Sequence, residues 1–200
     1  MLAGRFVLGC LAAFWGLVLL VGVANPGYSQ TRDYVSTLAA RGADFGWLGV
    51  LAICAAAAAM LGTALLLRPL SVVAALLAGL AAVGFVVVAF TRLDCPDGPA
   101  GCGLGGRFDV SGFREITHSA ATSVSAGFLI AAMVWSGVKL IRGGRARAGG
   151  WSLGAAAATT AAFLAMGGSS PGWIQRVGIL VATCWMAGIA VAALVTRRAA

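Results

Sequence analysis

The sequence predicts an all-α polytopic membrane protein, a six-transmembrane-helix bundle with a short outer interfacial helix. Three observations lead there. Of the 200 residues, 60% are apolar and only 10% charged, against roughly 25% charged in an average soluble domain. Mean hydropathy is +0.96. The apolar residues fall into six runs, each close to the roughly 20 residues that cross a bilayer, and turn-forming residues separate them.

The first helix is read at Phe6 to Ala24. Arg5 ahead of it and Gly22-Val23-Ala24 at its end are marks of a signal peptide. The run is long for a signal's apolar core, so it is read as a retained helix. NPGYSQTRDYVSTLAARG follows, residues 25 to 42, with a Pro-Gly turn, both tyrosines of the chain, Arg32, Asp33 and Arg41. A helix is expected over Gln30 to Arg41. Tyr34, Val35 and Leu38 share one of its faces and Asp33, Ser36 and Thr37 another. Such a helix lies flat on the outer surface, apolar face down, and brings Asp33 over the mouth of the bundle.

The second and third helices are read at Phe45 to Leu67 and Ser71 to Phe90, divided by Pro69. After the long loop Thr91 to Ile116 comes a fourth, Thr117 to Ile141. RGGRARAGG separates it from a fifth at Trp151 to Gly167, and Gly168 with SSPG separates that from a sixth at Ile174 to Val195. Residues 1–200 form a single domain.

A net charge of +8 and a pI near 10.3 suit nucleic acid, but the basic residues sit between apolar runs, where they orient a membrane protein. Nucleic acid is therefore excluded as a partner. With the N-terminus inside, the inner segments hold Arg5, Arg68, Lys139, Arg142, Arg145, Arg147, Arg197 and Arg198 and no acid, while all 6 acids lie on the outer side. This predicts a multi-pass protein of the cell (plasma) membrane with both termini cytoplasmic. Small residues four apart, such as Ala12 and Gly16, permit dimerisation and equally serve internal packing, so the oligomeric state stays open.

The loop TRLDCPDGPAGCGLGGRFDVSGFREI carries Cys95 and Cys102. In an oxidising exterior, a disulfide between them is expected. The spacing is not C-x-x-C and the loop has too few ligands for zinc, so no metal is expected. Cys10, Cys54 and Cys184 lie inside apolar runs as small hydrophobes.

The remaining polar signals sit at outer helix ends. Asp33 opens the interfacial segment, Asp94 follows the third run, His118 opens the fourth, and Gln175 and Arg176 open the sixth. His118, Thr122 and Ser125 are spaced to form one stripe pointing into the bundle. Each has a plain structural reading. Asp33 complements a helix N-terminus, Thr122 and Ser125 bond their own helix carbonyls, His118 is a satisfied interfacial histidine, and Arg176 snorkels. Taken together, ionisable groups near a membrane interior point to a functional site when they pair. A single histidine excludes bis-histidine haem ligation. No H-E-x-x-H, G-x-S-x-G, P-loop or Rossmann fingerprint occurs, so no cofactor is expected. The helices are also poor in charge for a proton-driven pump.

At these residues the chain resembles a known set. NPGYSQTRDYVSTL resembles the first-loop signature of the bacterial and archaeal family catalogued as domain of unknown function 998. TRLDCP is similar to its Phe-Pro-x-Asp motif after the third helix, ITHSAA to the histidine opening its fourth, and GWIQRV to the Gly-x-x-x-Arg start of its sixth. The resemblance implies a six-helix integral membrane protein with Asp33, Asp94, His118 and Arg176 as shared polar positions. It implies no activity. Two departures are Thr-Arg-Leu in place of Phe-Pro-x before Asp94, and Gln175 where many members carry an acid.

Three functions follow as expectations. In the first, the protein binds a lipid or isoprenoid-like amphipathic molecule in an outer polar cleft. Arg176 contacts the anion, with Gln175, Tyr34 and Thr122 around it, and membrane lipids and that small ligand are the partners. In the second it is a membrane-embedded enzyme, with Asp33, Asp94 and His118 performing acid–base chemistry on a prenylated or lipid-linked substrate. In the third it is a structural partner subunit whose polar residues satisfy one another. The first is preferred, because it accounts for the sparse charge and the missing catalytic motifs.

Overall fold

The structure is a computed structural model describing residues 2–94, 112–166 and 170–196. It contains α1 (Leu2–Ala24), a 3-10 helix (Val35–Ala39), α2 (Gly46–Leu67), α3 (Val72–Phe90), α4 (Phe113–Arg142), α5 (Ala146–Ala165) and α6 (Pro171–Thr196), with no strand among the described residues. Five of the six α-helices are long and apolar enough to cross a membrane; α5, less apolar, is the exception. The chain is a multi-pass membrane protein of six helices, as its sequence predicts.

Consecutive helices pack on one another, and α6 returns to α1, so the six close into a ring. Ala and Gly at the contacts let backbones approach, which substitutes for the hydrophobic drive that lipid removes. Between α3 and α4, Gly84 leaves room for Ser125, and between α4 and α5 Gly137 faces Leu153 and Gly149. Larger side chains fill the centre: Val7, Leu11, Met60, Met133, Trp185 and Met186. Trp185 is fully buried, and its Nε1 donates to Ser152 Oγ at 2.8 Å, which donates to Met133 O at 2.8 Å. One polar chain thus ties α6, α5 and α4 together. Leu2, Leu20, Leu61, Leu76 and Leu164 point outward, as lipid-facing residues do.

The two ends of the ring differ. The end bearing the start of α1 and the close of α6 has tight turns. Leu70 and Ser71 N–H both reach Leu67 O at 2.9 Å, and Ser71 Oγ caps α3 while accepting Trp135 Nε1 at 3.0 Å. Gly144, at φ 77°, turns the chain from α4 into α5, a conformation glycine adopts without Cβ strain. The opposite end, the capped end, carries the irregular segment from Asn25 to Asp44, which includes the 3-10 helix.

Four expected helix starts move by three residues or more; α1 begins at Leu2 rather than Phe6 and α6 at Pro171 rather than Ile174. Helix α5 starts at Ala146 rather than Trp151, so most of the Gly-rich basic stretch is helical. Gly149 is tolerated there because it packs against the Gly137 carbonyl and Ile141. Helix α4 begins at Phe113, four residues before the expected Thr117. The segment expected as a helix from Gln30 to Arg41 forms only the five-residue 3-10 helix. It does not lie flat on the surface. Val35, Thr37, Leu38 and Ala39 are buried, and a Cβ at Gly49 of α2 or Gly172 of α6 would collide with the Leu38 carbonyl or the Asp33 backbone. The segment is wedged into the ring mouth. Its carbonyls are captured by side chains from neighbouring helices, which removes the need for regular helical bonding. The expected Cys95–Cys102 disulfide lies outside the described residues.

Candidate functional site

An irregular backbone buried at a membrane-protein mouth must find partners for its N–H and C=O groups. In the capping segment, turn bonds within the backbone and a set of side chains supply them together. Asn25 fixes both ends of the segment: its Nδ2 donates to Val21 O at 2.8 Å and its Oδ1 accepts Asp44 N–H at 3.1 Å. Pro26 and Gly27, the latter at φ 77°, turn the chain inward.

Arg176, from the first turns of α6, is 8% exposed. Its Nη1 donates to Gln30 O (2.7 Å), Asp33 O (2.8 Å) and Gly172 O (2.9 Å), and its Nη2 donates to the Tyr28 hydroxyl. The guanidinium also lies 5.4 Å from the Tyr28 ring centroid, a cation–π arrangement. Its Nε is buried with no acceptor among the described residues. The neighbouring Gln175 accepts Val35 N–H on Oε1 at 2.7 Å. Arg92, just beyond α3, holds the other half of the segment, with Nε to Ala39 O at 2.7 Å and Nη2 to Ala40 O at 2.9 Å. The planar fork of arginine suits such paired carbonyls.

Asp33 is 4% exposed, and its Oδ2 accepts Ser29 N–H at 2.6 Å. The carboxylate closes a turn of its own segment. Tyr28 Oη donates to Tyr34 O at 3.3 Å and Tyr34 Oη to Met166 O at 3.3 Å. Burial pushes the Tyr28 phenol up to about 12, an effect that the nearby Arg176 charge only partly offsets. Burial also raises Tyr34.

The other expected site residues lie apart from these. His118 is buried and its Nδ1 bonds Thr91 O at 2.8 Å, tying α4 to the end of α3. A carbonyl only accepts, so Nδ1 carries the hydrogen. Thr122 and Ser125 donate to His118 O and Ala121 O on their own helix. Asp94 has a side chain 48% exposed and pairs with Arg41 (3.3 Å) and Arg114 (3.4 Å). Asp33, Asp94 and His118 thus have separate partners and make no hydrogen bond or ion pair with one another among the described residues.

Below the segment lies a cavity of about 130 Å³ lined by all six helices and by Val35 and Ser36. Its wall is almost wholly apolar, with Phe14, Ile53, Met60, Phe85, Leu129 and Phe163 the bulkiest contributors. Five polar residues reach it: Ser36, Thr122, Thr159, Gln175 and Thr183. No charged side chain lines it. Of the expected residues, only Thr122 and Gln175 do. Thr183 is engaged, donating to Leu180 O at 3.0 Å and accepting Trp15 Nε1 at 3.1 Å. Thr159 Oγ1 is buried without a partner among the described residues.

The wall between α4 and α5 is uneven. The close contacts of that pair, Gly137 with Leu153, Gly149 with Ile141 and Ser152 with Met133, all lie away from the capped end. The buried residues of α5, from Gly149 to Ala156, lie in its first part. Nearer the capped end Thr159, Ala162 and Phe163 line the cavity and Leu164 is 78% exposed.

Sequence reasoning picked out the motifs that hold the segment but missed Arg92 as a clamp and the whole α5 contribution. Thr159 and Thr160 are the only polar pair in the Ala-rich run of α5, the one signal that a polar group was needed there. No curated protein and no solved structure matches the chain. The family described as Protein of unknown function (DUF998) matches residues 7–192, nearly its full length, and the chain belongs to that family.

Proposed function

We propose that the protein binds one end of a lipid-soluble amphipathic molecule in its central cavity, taking it from the bilayer between the capped-end halves of α4 and α5. The observation that carries this reading is an apolar cavity, lined by every helix and free of charged side chains, beneath a segment held by two arginines. Its volume is similar to the ~150 Å³ of an apolar cavity that takes benzene. A chain end or a small ring fits it, whereas a whole lipid does not. The capping segment covers the route from water, which favours approach through lipid. The ionisable residues that would suit acid–base chemistry are each bound to backbone or to an arginine, and none lines the cavity. This favours binding over catalysis.

The exposed Arg5, Arg68, Lys139, Arg142, Arg145 and Arg147 lie at or beside the end opposite the capped one. By the positive-inside rule that end faces the cytoplasm of a plasma membrane, and the capped end faces outward.

The test is mass spectrometry of small molecules that co-purify with the wild type and with Ala126→Phe, which fills the cavity from α4, both checked for equal folding. A defined amphipath present in the first and absent from the second is expected. Identical bulk lipid in both preparations would defeat the proposal.

A further inference from the structure

We infer that the ligand's polar end is an uncharged hydrogen-bond acceptor, a carbonyl of the ester or ketone type, received by Thr159 with Gln175 beside it. This deepens the binding reading above and rests on it. The argument begins with a contrast among hydroxyls. Thr63, Thr122, Ser125, Ser136 and Thr160 each donate to the carbonyl four residues earlier in their own helix. That is the cheap solution for a hydroxyl in an apolar bundle. Thr159 does not take it. Its Oγ1 is buried, without a partner among the described residues, on a residue of the cavity wall. A buried hydroxyl without a partner is costly and calls for a reason.

Gln175 has a matching asymmetry. Its Oε1 is occupied by Val35 N–H, and its Nε2 has no hydrogen bond among the described residues, while the residue lines the same cavity. The groups left for a ligand are an O–H and an N–H₂, so an acceptor is wanted. An anion is also an acceptor. No cation lines the wall, however, and an anion buried in an apolar cavity without a counter-charge is strongly disfavoured. Arg176, whose Nε has no acceptor among the described residues, is not on the cavity wall, and its Nη atoms bond backbone carbonyls and Tyr28. A neutral carbonyl satisfies the donors without that penalty. The cavity's size admits the head and first carbons, and the tail lies between α4 and α5.

Three tritiated probes that share one tail test this: farnesyl acetate with a carbonyl, farnesyl phosphate with an anion, and farnesene with no polar head. Retention is measured on the full chain in phosphatidylcholine nanodiscs. Farnesyl acetate is expected to bind about tenfold tighter than either of the others, the usual worth of one well-made hydrogen bond in a dry site. Thr159→Val is isosteric and should remove that advantage while leaving farnesene unchanged, and Thr159→Ser should restore it. Farnesyl phosphate binding as tightly as the acetate, or an unchanged acetate affinity in Thr159→Val, would overturn the inference and leave the binding function standing. If none of the three is retained above Ala126→Phe, the binding function itself fails, and the inference with it.

Discussion

The capping segment and the cavity beneath it are adjacent and built on opposite principles. The segment is polar and irregular, and holds much of its backbone through side chains. Arg176 takes two of its carbonyls, Arg92 two, and Gln175 and Asp33 one N–H each. The cavity is apolar, walled by regular helices, and its few polar residues are neutral. The buried charges, Asp33 and Arg176, therefore serve to make an irregular plug stable at the mouth of a bundle. An ionisable residue in a helical membrane protein invites a catalytic reading. Here the buried ones answer a backbone question, and the candidate binding groups are a threonine and a glutamine amide.

That contrast breaks most visibly at Arg176. Arg176→Ala strands the Gln30 and Asp33 carbonyls and takes the guanidinium donor from the Tyr28 hydroxyl in a buried place, and should cost about 3–5 kcal/mol. The readout is thermal or denaturant unfolding in detergent. Arg176→Lys should recover only part, because an ammonium lacks the planar fork that reaches several acceptors at once. A loss below about 1 kcal/mol would mean the segment does not depend on its clamp. Arg92→Ala comes next. It frees two carbonyls in a part-buried place, so about 1–3 kcal/mol is expected. Limited proteolysis within 25–45 should speed up in both variants, and more in Arg176→Ala.

Much of the fold was legible because lipid imposes a simple rule. Apolar runs of bilayer length become helices, and Pro69, Gly144 and Pro171 stand where the chain turns. The segment was misjudged for a physical reason. Its spacing of Tyr34, Val35 and Leu38 suits an amphipathic helix, but the bonds that decide its conformation come from residues far away in sequence. Arg176 and Gln175 lie more than a hundred positions on. No local pattern encodes that. His118 and Thr122 were legible as polar residues on one stripe, but the stripe did not reveal that both point their hydrogen bonds at backbone. The cavity was hidden because its wall is composed of Ala, Val, Phe and Met from all six helices, the same residues that pack a core.

Asp33 sharpens the comparison more finely. Asp33→Asn keeps an acceptor for Ser29 N–H and removes the ionisable acid. If the residue only closes its turn, the cost should stay below about 1.5 kcal/mol and ligand retention should be unchanged. An acid in a catalytic role would lose activity outright with the same substitution. Co-purifying ligand and unfolding, measured on one preparation, separate the two.

The smallest effect is a pH dependence at Tyr28. Its phenol titrates at 10.0 when free and is pushed up to about 12 by burial in the fold. The folded chain then keeps a proton that the unfolded chain gives up. The stability this represents is complete below pH 10 and declines as pH rises from 10 towards 12, since deprotonation of the unfolded state draws the equilibrium its way. Tyr28→Phe lacks the group. It should be less stable than the wild type at neutral pH, having lost the acceptor for Arg176, but its stability should not carry this decline. Tyr34 is raised as well and contributes equally to both proteins, so it cancels in the difference. The gap between the two unfolding curves should narrow steadily between pH 10 and 12. A gap that stays constant across that range would mean that Tyr28 is not held away from water beside Arg176, and the segment would then be a looser cover than its hydrogen bonds describe.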